Sequence, residues 1–189
     1  MRFKPLPRGS GYQFANAIKG GVIPGKFIPS VDKGIQEAAQ RGILAGFPLV
    51  DFTAECYDGS YHTVDSSDIA FQLAAGLAFH SIVPEARPVL LEPILEVSVT
   101  TPDDHVGDVM GDLTQRRGKV LGIEPANGRT VIKALVPEAA LYKYAAALRA
   151  LTSGRAFHTR AFATYEPVPE HEAQKIISER RHERDAAHA

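Results

Sequence analysis

The sequence predicts an α+β protein built from two α/β-sandwich domains and a short tail. Three observations carry this. Residues 94–165 read strand, helix, strand, strand, helix, strand, the βαββαβ order of a ferredoxin-like sandwich. Arg87-Pro88 and Glu92-Pro93 interrupt the chain near its middle, and proline restricts the residue before it as well as itself. The first half follows a different element order. At 189 residues the chain has room for two domains of about 90 residues each. The expected divisions are residues 1–91, 92–168 and a charged helical tail at 169–189.

In the first half, the Pro- and Gly-rich opening through Pro5, Pro7, Gly9 and Gly11 reads as an edge strand or loop. Gly20, Gly21, Val22, Ile23, Pro24 and Gly25 form a loop of unusual backbone angles whose apolar residues have no evident core to enter. Ser30 suits an N-cap for a helix with Val31, Ile35 and Ala38 inward, and Gly42 is its stop. Alternation from Pro48 to Tyr57 predicts a half-buried strand with Val50, Phe52, Ala54 and Cys56 facing in. Asp58-Gly59 ends it, and Tyr61-His62-Thr63-Val64 predicts a brief resumption. Asp65, Ser66 and Ser67 offer caps for a helix to about Ser81, whose stripe is Ile69, Leu73 and Leu77 with Ala70, Ala74 and Ala78 beside it, lying close to a sheet.

In the second half, strand 94–100 leads to a helix over 102–117, capped by Thr100 or Thr101 and buried through Val106, Val109, Met110 and Leu113. Strands 118–123 and 129–136 flank Ala126-Asn127-Gly128, a hairpin turn, because Asn-Gly tolerates positive φ. A helix over 137–152 starts at Pro137 and faces inward through Leu141, Ala145, Leu148 and Leu151; Gly154 follows it, then strand 155–165. The tail interleaves Lys175, Arg180, Arg181 and Arg184 with Glu172, Glu179, Glu183 and Asp185, as an exposed helix does.

Composition narrows the function. With 44% hydrophobic and 23% charged residues the chain packs a core instead of remaining disordered. A net charge of −1 leaves polyanion binding to local patches and exposed backbone. The one cysteine, Cys56, excludes an intrachain disulfide or cysteine cluster. The sequence shows no run near the roughly 18 apolar residues of a membrane span and no apolar stretch after Met1, so a cytoplasmic protein without membrane contact is expected. Nor does it hold a phosphate-binding Gly-x-x-x-x-Gly-Lys-Ser/Thr loop, a His-Glu-x-x-His zinc pair or a nucleophile elbow at Ser10, Ser66 or Ser67. No catalytic and no metal-binding residue is expected.

Four motifs carry a resemblance. Phe14-x-x-x-Ile18-x-Gly20-Gly21-Val22-Ile23-Pro24 continuing through Ile28-Pro29-x-Val31-x-Lys33-Gly34-Ile35, and Asp58-Gly59-Ser60-Tyr61-His62-x-Val64-Asp65-Ser66-Ser67-x-x-Ala70-Phe71, resemble the fourth domain of elongation factor G. Pro88-Val-Leu-Leu-Glu92-Pro93-Ile94 and Gly107-Asp-Val-Met-Gly111-Asp112-Leu113-x-x-Arg116-Arg117-Gly118 resemble its fifth. The resemblance implies a left-handed βαβ crossover in the first domain, against the usual right-handed rule, and a start inside that domain, without its N-terminal strand. It implies an arm that reaches the decoding centre of the ribosome during translocation, in a parent protein using GTP and Mg2+, with no cofactor in this piece. Expected partners are ribosomal RNA and the messenger–transfer RNA duplex, bound by a monomer. By motif, the contact residues are Gly20, Gly21, Val22, Ile23, Pro24 and Gly25 in one turn, and Gly59, Ser60, Tyr61 and His62 in the other. Glycines let backbone approach a helix groove, and an imidazole can hydrogen-bond ribose or phosphate. Arg116 and Arg117 are candidates for ribosomal RNA, against the plainer role of completing a helix end. Gly25-Lys26-Phe27 replaces the family's usual Lys-Glu-Tyr, which points to a divergent relative. Alternatives are a stand-alone RNA-binding or interaction module, the arm of a recycling factor, and a small enzyme using His62 with Asp58 or Asp65.

Overall fold

The structure, a computed structural model, describes residues 1–187. The last two residues of the expected tail, and the side chains of Arg184 and Asp185 on its charged face, lie outside the described residues. The fold is α+β with two separate sheets. The chain divides into two compact units, Met1–Val89 joined by the segment from Glu170 onward, and Leu90–Pro169.

The first unit has strands β1 (Arg2–Pro5), β2 (Tyr12–Asn16) and β3 (Phe52–Cys56), and helices α1 (Ile28–Arg41) and α2 (Asp68–Ile82). The sheet order is β1-β3-β2, with β1 antiparallel and β2 parallel to β3. Parallel neighbours need a crossover, and α1 supplies it. Alternation on β3 turns Phe52, Ala54 and Cys56 inward, onto Val31, Ile35 and Ala38 of α1 and Phe71, Ala75 and Phe79 of α2. The two helices meet at Gly34, where an added Cβ would lie 2.3 Å from the Gln72 carbonyl oxygen.

Several expectations change here. The strand starts at Phe52, not Pro48, because Asp51 takes φ 60° and ties its carboxylate to the Gly11 N–H at 2.9 Å, leaving Val50 exposed. Tyr61–Val64 forms no strand; the Ser66 N–H closes a turn onto the His62 carbonyl. Ser30 does not cap α1 but lies inside it, buried, its hydroxyl 2.6 Å from Asp68 Oδ1. Ser67 does cap α2, accepting the Ala70 N–H. The largest reversal is on α2: Ile69, Leu73 and Leu77 are 69%, 64% and 71% exposed, and the aromatic row Phe71 and Phe79 faces the core instead. Rings fill the space over the sheet, and the aliphatic row lies about 200° away around the helix. By length and mean hydropathy alone Asp68–Ala86 could cross a membrane, though Asp68, Gln72, His80, Ser81 and Glu85 interrupt its apolar residues. Its buried face, continued by Val83, packs into this core.

The second unit contains β4 (Leu91–Pro102), α3 (Val106–Gln115), β5 (Lys119–Pro125), β6 (Arg129–Pro137), α4 (Tyr144–Leu151) and β7 (Phe157–Pro167). Its order β5-β6-β4-β7, antiparallel throughout, is the ferredoxin-like arrangement. Asn127 and Gly128 take φ 48° and 76° in a two-residue hairpin turn. Val97, Val99, Ile132, Ala134 and Val136 meet Val109, Leu113 and Leu148 in the core. Both helices are shorter than expected. Neither Thr100 nor Thr101 caps α3, which is preceded by a 3₁₀ turn at Asp103–His105; the Thr101 side chain is buried. The second helical segment breaks at Lys143, φ 56°, so a 3₁₀ turn at Glu138–Leu141 precedes α4. That break brings Tyr144 into the core in place of Ala145. The segment Glu170–Ala187 is helix α5, with Ala173 buried and the Arg180 guanidinium 5.2 Å from the Phe47 ring centre.

Candidate nucleic-acid interface

Because β2 and β3 are parallel neighbours, paired from Tyr12↔Phe52 to Asn16↔Cys56, the loops that leave their C-terminal ends emerge at one edge of the sheet. The Ala17 N–H continues the pairing onto the Cys56 carbonyl at 2.8 Å. The first loop carries Gly20 and Gly21 at φ 67° and 71°, left-handed angles that glycine adopts without strain. Both are exposed, with open space where a Cβ would stand. Val22 and Gly25 are exposed too, and Pro24 is half-buried.

Ile23 behaves differently. It is 5% exposed and inserts between the loops, so a Cβ on Gly59 would lie 2.5 Å from Ile23 Cδ1. The expectation that this loop's apolar residues lack a core is therefore overturned for Ile23, whose side chain joins the two turns. A second joint is aromatic: the Phe27 ring sits 5.7 Å from Tyr61 and 4.8 Å from Phe71. A side chain at 59 would have to displace the end of Ile23.

The second turn is held by its own polar side chains. Asp58 Oδ1 accepts the Gly59 N–H at 2.8 Å, and Ser66 Oγ accepts the His62 N–H at 2.9 Å. His62 Nδ1 lies 2.9 Å from Asp65 Oδ2, on a side chain 68% exposed. Gly59, Ser60, Tyr61 and His62 all face solvent. The geometry adds Lys26, whose Nζ lies 4.7 Å from the Phe27 ring centre; of the two carboxylates named with His62, Asp65 lies beside its ring and Asp58 holds the Gly59 N–H. The offset of three between His62 and Asp65 was the available sequence signal for that pair. The result is a pair of joined turns with exposed backbone, one imidazole and one aromatic ring, and charges of both signs.

Arg116 and Arg117 belong to the other unit. Arg116 Nε holds Asp112 Oδ2 at 2.9 Å, its Nη1 donates to the Ala140 carbonyl at 2.7 Å, and the guanidinium lies 5.0 Å from the Tyr144 ring centre. Those contacts pin the end of α3 onto the segment before α4. Arg117 takes φ 61° and pairs with Glu92 at 2.6 Å, with about a third of its side chain exposed. Among the described residues no group of three or more His, Cys, Asp or Glu is placed to hold a metal ion.

Two family models cover nearly the whole chain: Elongation factor G, domain IV, matches residues 1–87, and Elongation factor G C-terminus matches residues 89–176. The chain belongs to the elongation factor G family. It is 56% identical over 180 residues to Elongation factor G of Aquifex pyrophilus, covering 95% of this chain and 26% of that protein. It is 52% identical over 184 residues to the Elongation factor G-like protein of Thermotoga maritima, covering 97% and 27%. A crystal structure from Thermus thermophilus aligns with TM-score 0.84 at 48% identity, over 95% of this chain and 27% of that one. The chain thus spans about a quarter of the elongation factor G relatives it matches, and the region it represents is the fourth domain and the C-terminus.

Proposed function

We propose that this chain is the ribosome-binding arm of a GTP-dependent elongation factor and promotes movement of transfer and messenger RNA through contacts of its two-turn tip at the decoding centre. The observation that carries the reading is the junction of the two turns, with Ile23 against Gly59 and Phe27 against Tyr61. It leaves Gly20, Gly21, Val22, Ser60 and His62 outward together. Paired RNA is recognised by shape and by sugar and phosphate contacts across a shallow groove, which suits a narrow tip of bare backbone and one imidazole. The low net charge fits a steric and hydrogen-bonding contact made at short range, not capture by a long-range field. In this reading the protein works as a monomer in the cytoplasm, and GTP and Mg2+ bind elsewhere in the parent protein. Arg117 remains a candidate for ribosomal RNA, and Arg116 keeps a structural role.

The test is His62→Ala in the full-length factor, with translocation and ribosome-stimulated GTP hydrolysis measured side by side. The expected result is translocation slowed at least tenfold, about 1.4 kcal/mol of barrier, with GTP hydrolysis unchanged. Equal loss of both activities, or of neither, contradicts the proposal.

A further inference from the structure

We infer that Ser30 and Asp68 are positioning residues whose hydrogen bond fixes the start of α1 against the start of α2, so that the two turns feeding those helices keep one relative placement. The inference rests on the tip reading for its consequence and goes beyond it in assigning these two side chains. Each turn runs straight into a helix. The loop of Gly20 and Gly21 passes through a 3₁₀ turn at Gly25–Phe27 into α1, and the turn around His62 leads through the Ser67 cap into α2. Ser30 lies in the first turn of α1, and Asp68 is the first residue of α2. The Ser30 hydroxyl donates to Asp68 Oδ1 at 2.6 Å, across 38 positions of sequence. A hydroxyl donating to a carboxylate at this distance makes a charge-assisted bond, stronger than a neutral one.

Serine is not what the helix itself asks for. Inside a helix it gains nothing over alanine, and its hydroxyl ordinarily turns to solvent or to the carbonyl one turn back. Here the residue is buried and gives its hydrogen to the other helix. The contact of Ile23 with Gly59 keeps the turns touching, but apolar contact is non-directional. A hydrogen bond constrains an angle as well as a distance. The Ser30 bond therefore limits how far α1 can slide or roll on α2 at the end where the turns leave, and the placement of Gly20 and Gly21 relative to His62 follows from it.

The experiment uses the 189-residue chain labelled with 15N and follows the backbone amide signals of residues 20–23 and 59–62. Ser30→Ala should shift and broaden the signals of both turns, Asp68→Ala should do the same, and the double variant should go no further than either. Alanine is the better helix former, so loosening by Ser30→Ala cannot come from a weakened α1. Asp68→Asn removes the charge that favours a helix start but keeps an accepting oxygen, and should leave both turns as in the parent. Tyr12→Phe is the control for a lost hydrogen bond alone: it removes the hydroxyl that donates to Asp32 of α1 at 2.7 Å, a bond that does not reach α2, and should leave residues 59–62 unmoved. Retained amide signals of residues 71–79 confirm folding in each variant. A response confined to the turn beside the substituted helix, additive effects in the double variant, or an equal response to Tyr12→Phe overturns the assignment. A second arm places the variants in the full-length factor. Each alanine variant should slow translocation about fivefold, the double no further, with GTP hydrolysis unchanged and Asp68→Asn at the parent rate. Normal translocation in both alanine variants, where His62→Ala slows it, overturns the positioning role. Normal translocation in His62→Ala as well refutes the tip reading, and the amide signals then decide the role of Ser30 and Asp68 alone.

Discussion

At the scale of single residues, glycines separate into those that need open space and those that need contact. Gly20 and Gly21 need their positive φ and nothing else nearby. Gly34 is helical, and its requirement is the 2.3 Å that would separate an added Cβ from the Gln72 carbonyl oxygen, which no local pattern announces. Gly34→Ala must push α1 and α2 apart and should cost about 1–3 kcal/mol in urea unfolding; Gly25→Ala, with nothing within 4 Å and no positive φ, should stay within about 0.5 kcal/mol. His158 carries a pH dependence. Its pKa is held below the ordinary 6.5, first by burial and then by Arg160, with the Tyr144 ring 4.9 Å away. The unfolded chain therefore takes up this proton at higher pH than the folded one. Its stabilising contribution is present above about pH 6.5 and is lost as pH falls through the lower folded value. Unfolding midpoints should drop between about pH 7.5 and about pH 5, and His158→Phe should flatten that part of the profile.

At the scale of elements, the periodic ones were legible and their orientation was not. Val31, Ile35 and Ala38 gave α1 a single apolar stripe, and its inward face follows from it. Helix α2 has two apolar rows nearly opposite one another, so periodicity could not choose between Leu73 and Phe71; only the space above β3 does. The choice is measurable. Phe79→Ala should cost about 3–5 kcal/mol as a core cavity, whereas Leu73→Glu should change stability by no more than about 0.5 kcal/mol. Comparable losses in both would reverse the assignment of the two faces. The broken helix before α4 was illegible for a related reason: the left-handed turn falls on Lys143, a residue with no preference for it. By contrast Asn127-Gly128 declared its turn through residues that tolerate positive φ.

At the scale of the whole molecule, the βαββαβ half could be read from element order alone. The first half could not, since three short strands and two helices admit several pairings, and the parallel pairing of β2 with β3 is what brings the two turns to one edge. Each turn looked ordinary by itself. Their partnership depends on Ile23 and Phe27, residues the sequence presented as an orphaned apolar side chain and a departure from the family pattern. The proposed function rests on those two turns acting as one RNA-facing tip. Amide hydrogen exchange of the chain, free and bound to ribosomes, tests this directly: residues 20–25 and 59–62 should gain protection together and to a similar degree. Protection of one turn without the other, or of neither while the chain stays bound, would contradict it.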